Sequence, residues 1–268
     1  MKANILAIDI ENSPIIGYTW GLYEQTVIKR IKTYTILSVA YQWLGGELQV
    51  LSSETPPQET KISPKIISNI LRESKFDLGE FYLRIGKIIS DNQLKQEKEL
   101  LLKLREILDK ADIVIAHNGD AFDVKKINAR MIIHKIPPYS PFKTVDTKKV
   151  AKQVAAFDSN SLNNLGIDMD EGEKIKHRGF DMWEGCMAGN KRDWADMKKY
   201  NKKDVDLLAR IYLRLRPWIK NHPHTGLMQG NPGACPNCAS TNVKPKGTRF
   251  TKSRVIQRWL CGDCGAWS

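Results

Sequence analysis

No apolar run in the chain approaches the ~18 residues that would cross a bilayer, so no membrane-spanning helix is expected. The opening residues, MKANILAIDIEN, reach acids too early for a secretory signal, and an intracellular protein is expected. Cysteine is scarce over most of the length: before Cys235 there is only Cys186, which reads as a small buried hydrophobe. That distribution argues against the disulfide framework of a small secreted protein. No internal repeat or low-complexity tract is present, which leaves an ordinary globular chain of 268 residues with 41% hydrophobic content. Acids are also in short supply. Forty-two Lys and Arg stand against 30 Asp and Glu, a net charge of +12. Such a surplus favours a polyanionic partner through long-range steering and counterion release, and nucleic acid is the leading one.

The first apolar run, NILAIDI, continues into AIDIENSP and carries two carboxylates, Asp9 and Glu11. Successive side chains of a strand point to opposite faces, so Asp9 and Glu11 share one face while Ile8 and Ile10 share the other. Ionised carboxylates at that spacing repel and are costly to bury. A bound cation, protonation or exposure to water would each answer the problem.

The runs TILSVAYQWL and ELQVLS read as further strands. From about residue 61 to 109 the apolar spacing becomes helical. ADIVIAHNG is a short buried strand running into a loop and then the helical FDVKKINARMIIH. SLNNLGI and RDWADMKKYNKKDVDLLARIYLRLRPW supply later helices, so strands and helices alternate and the class is α/β. Asp123 follows a strand end, where open α/β sheets bind ligands. In the long helix Met197, Tyr200, Asp204, Leu207, Leu208, Ile211 and Leu215 trace one stripe, which puts Tyr200 and Asp204 one turn apart on the core-facing side. Several acids converging at a sheet edge suggest one shared cation site. Asp206, Lys202 and Lys203 fall off that stripe and read as solvated.

AIDIE, HNGDAFD and YNKKD, in that order, resemble the three motifs of the DnaQ-like (DEDD) 3′–5′ exonucleases, in the subclass with Tyr in the third motif. The intervening ADIVIAHNGDAFDVKKINAR, TVDTKKVAK and SLNNLGI are similar to stand-alone phage and bacterial members and to proofreading domains of family B polymerases. The resemblance spans about residues 3–216. It implies an RNase H-like mixed sheet flanked by helices and two Mg²⁺ or Mn²⁺ ions, oxygen-seeking metals that suit carboxylates. Asp9, Glu11 and Asp204 would hold one ion, and Asp9 with Asp123 the second. Tyr200 would orient the attacking water or take its proton, and orientation suits better a phenol of ordinary pKa ~10. Asn118 and Phe122 fall where the family contacts the terminal nucleotide, although Phe122 could equally be a core residue. His117 could touch a phosphate, although a lone loop histidine is more often a structural hydrogen-bonder. Asp146 is either a carboxylate behind the site or a helix N-cap. The lysines at 143, 148, 149 and 152, and KIKHR at 174–178, either follow phosphates or form solvated faces. The expected product is a nucleoside 5′-monophosphate cut from nucleic acid, DNA with a free 3′ end, near a polymerase or replication partner. The setting would be intracellular and includes phage-encoded enzymes in a bacterial host. A structure-specific endonuclease on the same fold and a non-catalytic nucleic-acid adaptor are the rival readings.

The Pro- and Gly-rich KNHPHTGLMQGNPGA has no periodicity and reads as a linker, which divides the chain into 1–218, 219–232 and 233–268. The last segment is too short for its own core and needs a staple. Two C-x-x-C knuckles, Cys235 with Cys238 and Cys261 with Cys264, fit one tetrahedral structural Zn²⁺, and the tail resembles a zinc ribbon. Between and beside the knuckles, Arg249, Lys252, Arg254 and Trp259 belong to a basic, aromatic hairpin suited to phosphates and base stacking. The alternative is a ribbon that only packs on the larger domain.

Overall fold

The computed structural model describes residues 3–21, 26–54, 64–74 and 77–268. Its centre is the mixed sheet expected from the sequence. Strand β1 (Ile5–Asn12) lies in the middle, after which the chain makes a small hairpin, β2 (Ile16–Tyr18) with β3 (Lys29–Lys32). It then returns as β4 (Ile36–Trp43) and β5 (Leu48–Ser52). Two helices follow, α1 (Pro64–Glu73) and α2 (Leu78–Leu108), before β6 (Ile113–Ala116), α3 (Asp123–Ile133) and β7 (Lys143–Asp146). The sheet order is β5-β4-β1-β6-β7. β1 is antiparallel to β4 and parallel to β6, and β6 is parallel to β7.

Alternation along β1 divides the core in two. Leu6, Ile8 and Ile10 face a cluster with Leu101 and Leu104 of α2 and Ile127 of α3. Ile5 and Ala7 face the opposite cluster, built with α4 (Thr147–Val154), α5 (Leu162–Asp168) and α7 (Lys191–Leu215). Helix α7 supplies Val205, Leu208, Ile211 and Leu215, which exclude water from that face. Helix α6 (Phe180–Met187) packs Met182 and Cys186 against Trp194, Met197 and Tyr200 of α7. Cys186 is buried, and burial pushes its thiol up to about 12, far from any nucleophilic form.

Glu97 on α2 and Arg130 on α3, both fully buried, form an ion pair, and Glu97 also accepts the Ile36 backbone N–H at 2.7 Å. This locks β4 and two helices to one another. The stretch 219–232 carries one helical turn, α8 (Thr225–Met228), whose buried Thr225 hydroxyl donates to the Pro236 carbonyl at 2.8 Å. Local hydrogen bonds of this kind need no periodic apolar pattern, so the sequence carried no signal for them. The tail forms a hairpin of β8 (Val243–Phe250) and β9 (Val255–Cys261).

Candidate metal centre and nuclease site

Asp9 and Glu11 lie on the α7 side of β1, on the face that also carries Ile5 and Ala7. Across the sheet their partners on β4 are Ala40 and Ser38, small residues that leave room above the strand. Helix α7 crosses this face and brings Asp204 down on the pair. One carboxylate oxygen from each of Asp9, Glu11 and Asp204 lies within 4.8 Å of the others. Asp123 comes from a different direction. Strand β6 pairs with β1 only as far as Ala7, and beyond that point the Ile10 N–H is taken instead by Asp123 Oδ1 at 3.1 Å. Asp123 therefore stands beside the three-acid cluster at the first turn of α3, where the helix dipole favours an anion.

The loop from β6 to α3 depends on close contact. A Cβ added to Gly119 would lie 2.2 Å from Ala116 Cβ, so only glycine lets the chain turn back toward Asp123. Asn118 before it adopts a left-handed conformation, φ 66°, and donates its N–H to Asp146 Oδ1 at 3.0 Å. The same Asp146 oxygen caps α4 by accepting from the N–H groups of Lys148 and Lys149. Of the two roles open for Asp146 in the sequence, the helix N-cap is the one these bonds fill, and the same oxygen also holds the Asn118 backbone. His117 bonds Thr147 Oγ1 and the Asn160 carbonyl through its two ring nitrogens, and burial lowers it to about 4, leaving a neutral structural ring. Phe122 is no core residue: it is 40% exposed at the start of α3, next in sequence to Asp123.

Electrostatics match the crowding. Burial raises Asp9 well above the usual carboxylate range, with repulsion from Asp123, Glu11 and Asp204 adding to it. Burial and then Asp204 push Glu11 up to about 8, opposed by the Lys174 ammonium. Asp123 rises to about 6 through burial, held down by the Ile10 N–H and its own. Asp204 is raised by burial, against Lys174 and the Tyr200 hydroxyl. Tyr200 is itself raised by burial and by Asp204, so its phenol holds its proton at neutral pH.

Two residues central to this geometry were missed or left open in the sequence. Asn201 is fully buried, accepts from Ser38 Oγ at 2.9 Å and donates to Asp9 Oδ2 at 2.6 Å, which fixes the orientation of Asp9. Lys174 leaves its loop to place Nζ 2.7 Å from Asp204 Oδ2 and 4.9 Å from the centre of the Tyr200 ring. Within KIKHR it resembled any solvated lysine. Even so, Asp204 Oδ1 is buried without a hydrogen-bond partner. An all-oxygen donor set with one orphaned buried oxygen fits a hard divalent cation.

In the tail, the Sγ atoms of Cys235, Cys238, Cys261 and Cys264 all lie within 4.8 Å of one another. Separations of 3.6 Å for Cys235 to Cys264 and 3.7 Å for Cys238 to Cys261 are far beyond a disulfide. They match the ~3.8 Å edge of a tetrahedron with ~2.3 Å Zn–S bonds. Asn237, inside the first knuckle, donates to the Arg216 and Ile219 carbonyls at 2.7 and 3.1 Å and ties the knuckle to the end of α7. Arg249, Lys252, Arg254 and Trp259 are all exposed on the hairpin. Among the described residues, no helix is long and apolar enough to cross a membrane.

Comparison with known proteins agrees with this architecture: a family model described as RNase H superfamily matches residues 80–216. The PolC-type DNA polymerase III of Ureaplasma parvum serovar 3 is 32% identical over 89 residues, which is 32% of this chain and 6% of that protein. Among solved structures, the family B DNA polymerase of the hyperthermophilic archaeon Pyrobaculum calidifontis aligns with a TM-score of 0.47 at 12% identity. That alignment covers 81% of this chain and 25% of the polymerase. The chain thus spans a small part of each relative's length.

Proposed function

The chain belongs to the RNase H superfamily, and on that premise we propose that it is a metal-dependent 3′–5′ exonuclease of the DnaQ-like, tyrosine-bearing type. Its substrate is DNA with a free 3′ end, and its product is a nucleoside 5′-monophosphate. The observation that carries the reading is the convergence of Asp9 and Glu11, both partly buried, on the buried Asp204, with the buried Asp123 alongside. Anions facing a phosphodiester serve no binding module unless cations join them, which disfavours a non-catalytic adaptor.

Asp9, Glu11 and Asp204 would hold one Mg²⁺ or Mn²⁺, and Asp9 with Asp123 the other. When bound, such a pair supplies a more acidic water and stabilises charge on the attacking and leaving oxygens. The protein's own groups set the geometry. Asn201 holds Asp9 in one rotamer. Tyr200, one helical turn from Asp204, is raised by burial and by that carboxylate and stays protonated, so it orients the attacking water and does not take its proton. Lys174 places its ammonium 2.7 Å from Asp204 Oδ2 and so sets a positive charge beside the carboxylates that would hold the ion. Asn118 and the exposed Phe122 ring would receive the terminal nucleotide, the ring by stacking.

Residues 1–218 form the nuclease domain in this reading, 219–232 the connection, and 233–268 a ribbon held by one Zn²⁺ on its four cysteines. The braced knuckle would position the ribbon, while Arg249, Lys252, Arg254 and Trp259 grip the strand. A polymerase or replication complex would be the setting that supplies 3′ ends. End-labelled DNA and RNA, incubated with and without Mg²⁺ or Mn²⁺, test the proposal. Stepwise shortening from the 3′ end of DNA, dependent on the metal, is expected. Cleavage of circular single-stranded DNA would instead identify an endonuclease.

A further inference from the structure

A cavity of about 330 Å³ shares Tyr200 with the carboxylate cluster. Its wall carries Lys176, His177, Arg178, Arg192 and Lys199 against a single acid, Asp196. Arg178 is already committed, paired with Asp193 and 3.7 Å from Asp196. Among the described residues, Lys176, Arg192 and Lys199 form no ion pair, so three positive charges in one concavity remain uncompensated. His177 adds a directed donor. The Gly179 N–H bonds its Nδ1 at 3.0 Å, which leaves the ring proton on Nε2. Edge-on packing against Tyr200 and Trp183, with centroids 4.8 and 5.1 Å away, holds that ring in place. The segment bearing Lys176 and His177 is bounded by Gly172 and Gly179, both at positive φ. Its path therefore brings Lys174 to Asp204 and the next residues to the cavity.

We propose that this cavity binds a phosphate of the substrate strand adjoining the one hydrolysed, through Arg192, Lys199, Lys176 and His177 Nε2–H. The inference rests on the nuclease reading above and adds to it a second anchoring point. A strand approaching four acids is repelled along its whole backbone, and cations one side chain away from the cluster offset that repulsion where the neighbouring phosphate must lie. The guanidinium and ammonium groups suit a phosphodiester, which presents two charged oxygens and no donor.

The test is a chemical double-mutant cycle on the full zinc-loaded chain. Binding of a short single-stranded DNA is measured by fluorescence anisotropy in a buffer free of Mg²⁺ and Mn²⁺. Single linkages near the 3′ end are replaced one at a time by neutral methylphosphonate, and each strand is tested against wild type and R192Q/K199Q. Loss of one charge-assisted phosphate contact should weaken wild-type binding about tenfold at one linkage next to the terminal one. R192Q/K199Q should bind the natural strand about equally weakly and show no further loss at that linkage. Its salt slope should fall by about 0.7, the share of the one phosphate that both side chains neutralise. R192K/K199R should restore both values. Additive losses at every linkage, or an unchanged salt slope, would overturn the proposal while leaving the nuclease reading intact. A positive cycle in a protein that hydrolyses no DNA would uphold the cavity and remove the exonuclease assignment. Failure of the wild type to bind DNA in this buffer would overturn the cavity proposal, and the metal-dependent shortening assay would still decide the nuclease reading.

Discussion

Replacing Glu11 by glutamine should stabilise the metal-free protein, although it removes a proposed ligand. Glu11 is pushed up to about 8 in the folded protein against 4.5 as an ordinary glutamate, because partial burial desolvates it and it faces Asp204 and Asp123, with Lys174 and Trp183 in opposition. The folded state therefore binds the Glu11 proton more tightly than the unfolded state. Stability from this group is complete below pH 4.5 and is lost as pH rises through about 8. The full span corresponds to about 5 kcal/mol at ~1.4 kcal/mol per pKa unit. Glu11 is only partly buried, and solvent screening at such a site reduces the net effect to roughly 2–3 kcal/mol. An amide in its place carries no charge at any pH, so at pH 8 with EDTA the Glu11→Gln variant should melt roughly 4–10 °C above wild type. At pH 5, where Glu11 is protonated in the folded protein, the difference should shrink toward zero. Saturating Mn²⁺ should reverse the order by stabilising wild type more. Differential scanning calorimetry at the two pH values reads all three effects. If Glu11→Gln melts below wild type at pH 8 in EDTA, the carboxylates are not held in mutual repulsion and the metal assignment loses its physical basis.

Asp9→Ala, Asp123→Ala and Asp204→Ala should each nearly abolish nuclease activity while circular dichroism stays native, and full activity in any of them would remove that residue from the metal site. Tyr200→Phe should lower kcat by roughly 10², as loss of one preorganised hydrogen-bonding group does, with metal affinity by calorimetry unchanged. Gly119→Ala should cost about 1–3 kcal/mol in denaturant melts because its Cβ meets Ala116 Cβ, and activity should fall with it as Asp123 is displaced. Cys261→Ser should bring bound zinc, read by atomic absorption, well below one ion per chain, since three thiolates hold the metal less tightly than four.

Much of the site was legible because strands and helices have fixed periods. Asp9 and Glu11 had to share a face of β1, and Tyr200 and Asp204 had to share the buried stripe of α7. The C-x-x-C spacings likewise bring each pair of thiols to one point. Asn201 was not legible by the same logic. Its partners are Ser38 and Asp9, distant in sequence, and its polar side chain is buried only because both of its ends are bonded there. Lys174 lies in a loop without any period, where composition cannot separate a solvated lysine from one bonded to Asp204. Helix α6 starts at a positive-φ glycine with no side-chain cap, and β7 is four residues long, so neither offered a start signal or a countable repeat.

The placement of the acids explains how the fold tolerates them. Each is attached to an element whose other contacts are apolar and deep: Asp9 and Glu11 to the strand that buries Leu6, Ile8 and Ile10, and Asp204 to the helix that buries Val205, Leu208 and Ile211. Strand and helix cannot separate to relieve carboxylate repulsion without exposing both cores, and packed interiors do not deform gradually. Repulsion is therefore retained as raised pKa values, offset in part by the Lys174 ammonium beside Asp204 and, in the proposed active form, by divalent ions. Because a single helix carries Tyr200, Asn201 and Asp204, the phenol, the Asp9 clamp and the ligand move as one rigid unit. A cavity made under α7, such as Leu208→Ala, should then lower activity more than it changes overall structure.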